Sequence, residues 1–211
     1  MKFIQQNQVP KGRKATHAQL AVDHRPGKSD PNGTRLTVAG NLLSFEGDSC
    51  TETTDSMSIK MSLNSVLSTK GAKFMTVDTK NFCLGTPMDV HEHVKIKHDL
   101  TPQETKNKCN SQEKVTNDGC VCVETQKGMC GLKQAGVLAN DQLEKSLKQD
   151  GHVKTKFTPG SWKHKTRPTM FNSCVDDFGV QCVGREHAEH LITALKKCCE
   201  DVTADWKGEK F

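Results

Sequence analysis

The feature that most constrains the fold is the run Cys-Val-Asp-Asp-Phe-Gly at residues 174–179, where two adjacent carboxylates separate two apolar segments. Residues 169–175 and 180–183 have the composition of β-strands, and Asp and Gly are typical of the tight turn that would join them. We therefore predict an antiparallel hairpin that carries Asp176 and Asp177 at its turn.

A third acid, Asp78, ends another apolar run at residues 72–78. Carboxylates on separate strands are the ligands that two-metal phosphoryl transfer uses, because two hard cations about 3.5–4 Å apart need oxygen donors from several directions. Spacing alone leaves two interpretations open. Asp78, Asp176 and Asp177 form a divalent-metal site, or they are unrelated acids near a solvated turn.

Two further segments accompany the Val175-Asp176-Asp177 run, namely Lys80-Asn-Phe-Cys-Leu-Gly-Thr-Pro-Met-Asp89 and Lys127-Gly-Met-Cys-Gly-Leu-Lys-Gln-Ala-Gly136. In chain order the three resemble motifs A, B and C of the reverse transcriptase in the Pol polyprotein of copia-type LTR retrotransposons. The likeness extends from about residue 10 to residue 211, through Arg35-Leu-Thr-Val-Ala-Gly-Asn41 and Asp205-Trp-Lys-Gly208. It implies an α+β fold: a polymerase palm of ferredoxin-like split βαβ type with a small β-rich fingers region.

The resemblance also implies an activity, RNA-directed DNA polymerase, a nucleotidyltransferase that adds deoxynucleotides to a primer. Its catalytic residues and metal ligands would be Asp78, Asp176 and Asp177. Two Mg²⁺ ions are the implied cofactors, and Mn²⁺ could replace them. The implied partners are an RNA or DNA template-primer, deoxynucleoside triphosphates and the remainder of the Pol polyprotein.

Three residues match substrate-binding positions of the family. Arg35 would meet the triphosphate, and Gln134 would border the incoming nucleotide. Cys83 stands where the family has an aromatic residue that excludes a ribose 2′-hydroxyl. From the residues alone, Arg35 could equally be a solvated strand-edge arginine and Gln134 a helix cap. Lys28 and Lys73 are weaker candidates for contacts with a nucleic-acid backbone.

The expected organisation is a fingers-like region at residues 1–71 and a palm-like catalytic region at residues 72–211, without thumb, connection or ribonuclease H regions. Apolar periodicity and turn residues indicate the elements within it. The predicted strands are 19–24, 35–39 (joined by a turn at 31–33), 72–78, 120–125, 152–156, the two hairpin strands and 201–206. The predicted helices are 56–70, 135–151 and one from about 186. Residues 89–118 are predicted to be an irregular polar segment that could contain short helices. His91 and His93 within it could bind a metal ion if they lay on a strand, and a solvated polar loop is the favoured alternative.

The chain has ten cysteines and no tyrosine. Where this sequence has cysteine at six positions, the resemblance places tyrosine: Cys83, Cys120, Cys122, Cys130, Cys174 and Cys182. It likewise places isoleucine at Thr79 and Thr125. Each exchange can arise from one transition in a codon, so our hypothesis is a degenerate copy of the element. A catalytically inactive remnant that at most binds nucleic acid is therefore the alternative to an active polymerase.

Composition and charge limit which other classes of protein the chain can belong to. Thirty Lys and Arg residues against twenty-five Asp and Glu give a net charge of +5, which permits nucleic-acid binding without requiring it. No cysteine pair has the spacing of a structural zinc site, so a zinc module is the least favoured alternative. The sequence lacks an apolar run that could cross a bilayer and a signal-peptide core. We expect an intracellular protein, cytoplasmic or nuclear, that is not secreted and has no membrane partner.

Overall fold

The structure is a computed structural model of the chain, and it describes residues 1–27 and 31–206. It has a mixed α+β fold in which the described strands form two sheets. The strands are β1 Lys2–Ile4, β2 Thr16–His24, β3 Asn32–Val38, β4 Ala72–Lys80, β5 Pro87–Lys97, β6 Cys120–Lys127, β7 His152–Lys154, β8 Ser161–His164, β9 Thr169–Cys174, β10 Asp177–Val183 and β11 Asp201–Asp205. The α-helices are α1 Ser56–Ser68, α2 Gln103–Lys108, α3 Ala135–Gln149 and α4 Arg185–Lys196.

The chain divides into two compact units, and each unit is built from two separate segments. The first unit is Met1–Ser49 with Thr86–Leu138, and the second is Cys50–Gly85 with Ala139–Phe211. The division differs from the predicted boundary between residues 71 and 72, which falls inside the second unit. The reason is that α1 contacts β4 and β10, so it belongs with the strands that follow it. Residues 207–211 of the predicted palm-like region lie outside the described part of the chain.

In the first unit, the sheet has the strand order β1-β6-β5-β2-β3. Its pairings are antiparallel except that of β2 with β5, which is parallel. Strand β6 lies between β1 and β5, and its residues 120–123 are buried. The alternation of this apolar run predicted β6 correctly.

Strand β5 occupies the first part of residues 89–118, so the prediction of an irregular segment was wrong there, whereas helix α2 agrees with the short helices that were predicted within it. Hydrophobic periodicity did not indicate β5 because polar residues lie at its buried positions. Glu92 and His93 are both buried, and Glu92 receives a hydrogen bond from Arg13. Specific polar partners, rather than an alternating apolar face, stabilise this strand.

In the second unit, the sheet has the order β11-β4-β10-β9-β8-β7, and every pairing is antiparallel. Strand β10 therefore lies between β4 and β9, and β4 lies between β10 and β11. Helix α4 connects β10 to β11. One face of the sheet carries the core, which includes Met75, Val77, Leu143, Leu147, Trp162, Phe171, Phe178, Val180, Leu191 and Leu195.

The helices of this unit follow from their sequence pattern. Asp55 is the N-cap residue directly before helix α1, and its carboxylate accepts a hydrogen bond of 2.9 Å from the backbone N–H of Ser58. Helix α4 buries Ala188, Leu191 and Leu195, which share one face at helical spacing. The predicted helices at 56–70, 135–151 and from about 186 are confirmed.

Most predicted strands are also confirmed, with two differences. The prediction of a turn at 31–33 is wrong, because Asn32 and Gly33 belong to β3 and pair with His24 and Asp23 of β2. The connection lies at residues 25–31, of which 28–30, including Lys28, fall outside the described ranges. Strands β1 and β8 were not predicted. No helix among the described residues is both long and apolar enough to cross a bilayer.

Candidate functional site

The hairpin of β9 and β10 carries two of the predicted catalytic acids. Cys174 pairs with Asp177, so the turn consists of Val175 and Asp176. The hairpin is confirmed, but its turn lies earlier than predicted, and Asp177 and Gly179 belong to β10. Gly179 is instead suited to a close approach, because a Cβ atom there would lie 3.1 Å from the ring of Phe74.

Val175 has a backbone φ of 60°, in the left-handed region that β-branched residues rarely adopt. Such conformations cost on the order of 1–3 kcal/mol and concentrate at functional sites, where the surrounding structure maintains them. Sequence reasoning missed this feature. The valine in the turn is a signal that the sequence contains, because a hairpin turn of two residues commonly requires positive φ and valine adopts it only under strain.

Asp78 lies directly opposite Asp177 in the antiparallel pairing of β4 with β10. Directly opposed residues point to the same face of a sheet, with Cβ atoms about 4.5–5.5 Å apart. Asp177 and Asp176 are exposed, and Asp78 is half-buried. The sequence analysis grouped these three acids, and the fold brings them to the same end of the β4–β10 pair.

The position of Asp176 is fixed through its backbone. Its carbonyl oxygen accepts hydrogen bonds from the backbone N–H of Thr79 at 2.9 Å and from the Thr79 hydroxyl at 3.1 Å. Thr79 is fully buried. Thr79 therefore holds the hairpin turn against β4. An isoleucine at this position has no hydroxyl, so it could donate only the hydrogen bond from its backbone N–H.

The electrostatics of this end of the sheet disfavour three ionised carboxylates. Partial desolvation raises the pKa of Asp177, and the charges of Asp176 and Asp78 raise it further. Like charges directly opposite each other destabilise a strand pair. Hard oxygen donors in such an arrangement are suited to a divalent cation, which would remove the repulsion.

One group of three His, Cys, Asp or Glu residues in the described ranges has ligand atoms that all lie within 4.8 Å of one another. It consists of His152, His164 and His190 and does not include the aspartates. The sequence analysis did not select these histidines, because they come from three elements and have no local motif. His91 and His93, which it did consider, lie on β5 rather than in a loop.

The predicted substrate-binding residues lie in different units. Cys83 follows β4 in the second unit and is half-buried. Arg35 is an exposed residue of β3 in the first unit, opposite Ala21. Lys73 is exposed on β4. The exposure of Arg35 leaves its guanidinium accessible to an anion.

Gln134 lies in the first unit, directly before α3, and its side chain is buried. Its amide nitrogen donates a hydrogen bond of 3.0 Å to Glu92. The other carboxylate oxygen of Glu92 accepts from Arg13 at 2.9 Å. Gln134 thus belongs to a buried polar network, and its side chain does not serve as the helix cap that was considered as an alternative. Sequence reasoning missed Arg13 and Glu92, which carry no motif.

No protein-family model matches the chain, and no curated protein matches it.

Proposed function

We propose that the chain is the fingers–palm part of a reverse transcriptase of the copia type, an RNA-directed DNA polymerase that adds deoxynucleotides to a primer 3′-hydroxyl. The observation that carries this proposal is the cross-strand pairing of Asp78 with Asp177 beside the turn at Asp176. Acids from motif-like segments far apart in sequence meet at one end of adjacent strands. A solvated turn with unrelated acids would not require this convergence.

The arrangement of the second unit supports a palm. With β7 and β8 inserted between α3 and β9, the elements β4, α3, β9, β10, α4 and β11 follow one another as a β-α-β-β-α-β series. Their strands have the spatial order β11-β4-β10-β9. Each β-α-β portion then has another strand between its two strands. This is the split arrangement of ferredoxin-like domains.

The residues present fit the divalent cations that the resemblance implies. Asp78, Asp176 and Asp177 supply hard oxygen donors. Burial is the main cause that raises the pKa of Asp177, and the charges of Asp176 and Asp78, which bound cations would offset, raise it further. When bound, the cations would activate the primer oxygen and stabilise the pyrophosphate leaving group. Thr79 would hold the turn so that Asp176 keeps its place. Arg35 would bind phosphate.

The test combines metal binding with primer extension, because a folded remnant could retain the first without the second. Binding of Mn²⁺ to the full chain would be followed by electron paramagnetic resonance. Extension of a primer on RNA and DNA templates would be measured with and without Mg²⁺. The variants are Asp78→Asn and Asp177→Asn, and the matched control is Asp89→Asn, an exposed carboxylate on β5.

We expect Mn²⁺ binding and Mg²⁺-dependent extension in the unmodified chain and in Asp89→Asn, and loss of both in the two site variants. Mn²⁺ binding that depends on Asp78 and Asp177 without any extension would favour the inactive remnant. Binding that is the same in all variants would overturn the metal site itself.

A further inference from the structure

Three histidines meet in the second unit, two of them on strands other than those of the aspartates and one on helix α4. His152 on β7 lies directly opposite His164 on β8. His190 on α4 completes the group. The ring centroids are 4.9 Å apart for His152 and His164, 5.2 Å for His164 and His190, and 5.7 Å for His152 and His190.

Several buried polar atoms in this group have no hydrogen-bond partner. His152 is fully buried, and neither of its ring nitrogens has a partner. Nδ1 of His190 and Oδ2 of Asp150 are also buried and without one. Asp150 adjoins the group, because its backbone carbonyl accepts a hydrogen bond from Nε2 of His164 at 3.0 Å. Buried polar groups are nearly always satisfied, so such a concentration indicates a ligand.

Burial and the neighbouring charges lower the pKa of two of the three imidazoles, those of His152 and His190. Burial is the main cause that lowers the pKa of His152 to about 4, and the neighbouring His164 and His190 lower it further. Burial, followed by the charge of Arg167, lowers the pKa of His190. Neutral imidazole is the form that binds metal ions. The carboxylate of Asp150 forms an ion pair with Lys197 through Oδ1. Its charge raises the pKa of His152, whereas that of Arg167 lowers it.

We propose that His152, His164 and His190 bind a divalent transition-metal ion of the Zn²⁺ class, with the Asp150 carboxylate as the adjoining acid. Imidazole donors favour such an ion over Mg²⁺, which prefers oxygen ligands. This site goes beyond the proposed polymerase function and does not depend on it.

Binding requires a small contraction and a change at His164. The ligand atoms lie within 4.8 Å of one another, whereas nitrogens around a tetrahedral Zn²⁺ are about 3.4 Å apart. Nδ1 of His164 accepts hydrogen bonds from the backbone N–H groups of Thr166 and Arg167 at 3.1 and 3.0 Å. If Nε2 binds the metal, its proton moves to Nδ1 and displaces these two amides. The backbone at Thr166 and Arg167 should therefore report on binding.

The bound ion would connect three elements. Strand β7 is at the edge of the six-stranded sheet, β8 is its neighbour, and α4 covers the core face. A ligand that binds only the folded state stabilises it by mass action. The site would therefore attach the edge strand to the helix, in addition to the apolar contacts already present.

The experiment uses the metal-free full chain, prepared with a chelator. Zn²⁺ and Co²⁺ would be added, and binding would be followed by calorimetry, elemental analysis, Co²⁺ absorption and amide NMR. The variants are His190→Gln and His152→Phe, and His187→Gln is the control, since His187 lies on the same helix. Thiolates also bind zinc, and binding at the exposed Cys50 or Cys174 would be recognised because it would persist in His190→Gln.

We expect one equivalent of Zn²⁺, a tetrahedral Co²⁺ spectrum, shifted amide signals at Thr166 and Arg167, and an unfolding midpoint raised by about 5–10 °C when Zn²⁺ is 100-fold above Kd. Mg²⁺ should have no such effect. His190→Gln should abolish these changes, and His187→Gln and Asp177→Asn should retain them. Absence of binding, or binding that persists in folded His190→Gln, would overturn the site, even if His152→Phe fails to fold.

Discussion

Asp78 and Asp177 face each other across two adjacent antiparallel strands, one residue before Thr79 and one residue after the turn position Asp176. The pairing places two carboxylates directly opposite each other on one face of the sheet. In the register of the two strands, neither carboxylate has a basic residue as its direct partner. Such an arrangement lowers stability unless a cation is bound. Folding stability therefore gives no reason to keep both acids.

Replacing Asp177 with Asn should stabilise the metal-free protein by about 0.5–1 kcal/mol, because it removes one of two opposed charges. The gain should shrink as the pH falls, since the raised pKa of Asp177 means that protonation relieves the same repulsion in the unmodified chain. Urea unfolding with and without Mg²⁺ measures both effects. Asp89→Asn is the control, and an equal gain there would show that net charge alone is responsible.

The strained turn offers a second prediction. Val175→Asn should raise the free energy of unfolding by about 1 kcal/mol, because asparagine tolerates the left-handed conformation that valine adopts at a φ of 60°. Val175→Ile keeps the β-branch and should leave stability nearly unchanged. Thermal unfolding of the three proteins decides the matter. A loss of stability in Val175→Asn would mean that the valine side chain contributes more than its strain costs.

Thr125 and Thr79 form a natural pair for comparison, since the resemblance places isoleucine at both. Thr125 is buried on β6, and its hydroxyl has no hydrogen-bond partner. Thr125→Val should therefore stabilise the protein by about 1–2 kcal/mol. Thr79→Val should instead cost about 0.5–1.5 kcal/mol, because the Thr79 hydroxyl binds the Asp176 carbonyl. Urea unfolding should give opposite signs, and equal signs would contradict this account.

The buried polar network of Arg13, Glu92 and Gln134 in the first unit gives a prediction about stability and not about catalysis. Glu92→Gln should destabilise the protein by about 1–3 kcal/mol, since Arg13 would lose its charged partner and Gln134 one acceptor. Adding Arg13→Met should recover part of the loss, because the two changes are coupled. Glu46→Gln, at an exposed site, is the control. Additive losses in the double variant would show that the ion pair contributes little.

Local patterns were sufficient to predict the long amphipathic elements and the hairpin. Helix α4 buries residues at the helical spacing that its sequence shows, so periodicity predicted it. Strand β6 was predicted from its apolar run, and its residues 120–123 are buried consecutively and not alternately. Strand β5 has buried polar residues, and its partner Arg13 is distant in sequence, so no window of the sequence reports it. The resemblance supplied the grouping of Asp78 with Asp176 and Asp177, which spacing alone left open.

What the sequence could not predict depends on pairing between distant elements. The direct partner of Asp78 is Asp177 rather than Asp176, because the turn lies one position earlier than turn chemistry alone suggested. His152, His164 and His190 meet only after β7 and β8 pair and α4 covers them. Register and helix placement are properties of the whole sheet, and a local motif does not encode them.

The discontinuous make-up of the two units has a consequence for synthesis and dissection. During translation, β2 and β3 can pair early, but the sheet they join is complete only after β6 has emerged. Strand β4 similarly waits for β9, β10 and β11. Cutting the chain between residues 71 and 72 would leave the strands of the second sheet on one piece but remove α1 from them. It would also separate β1, β2 and β3 from β5 and β6, and the divided first sheet would have exposed edges, which are prone to aggregate.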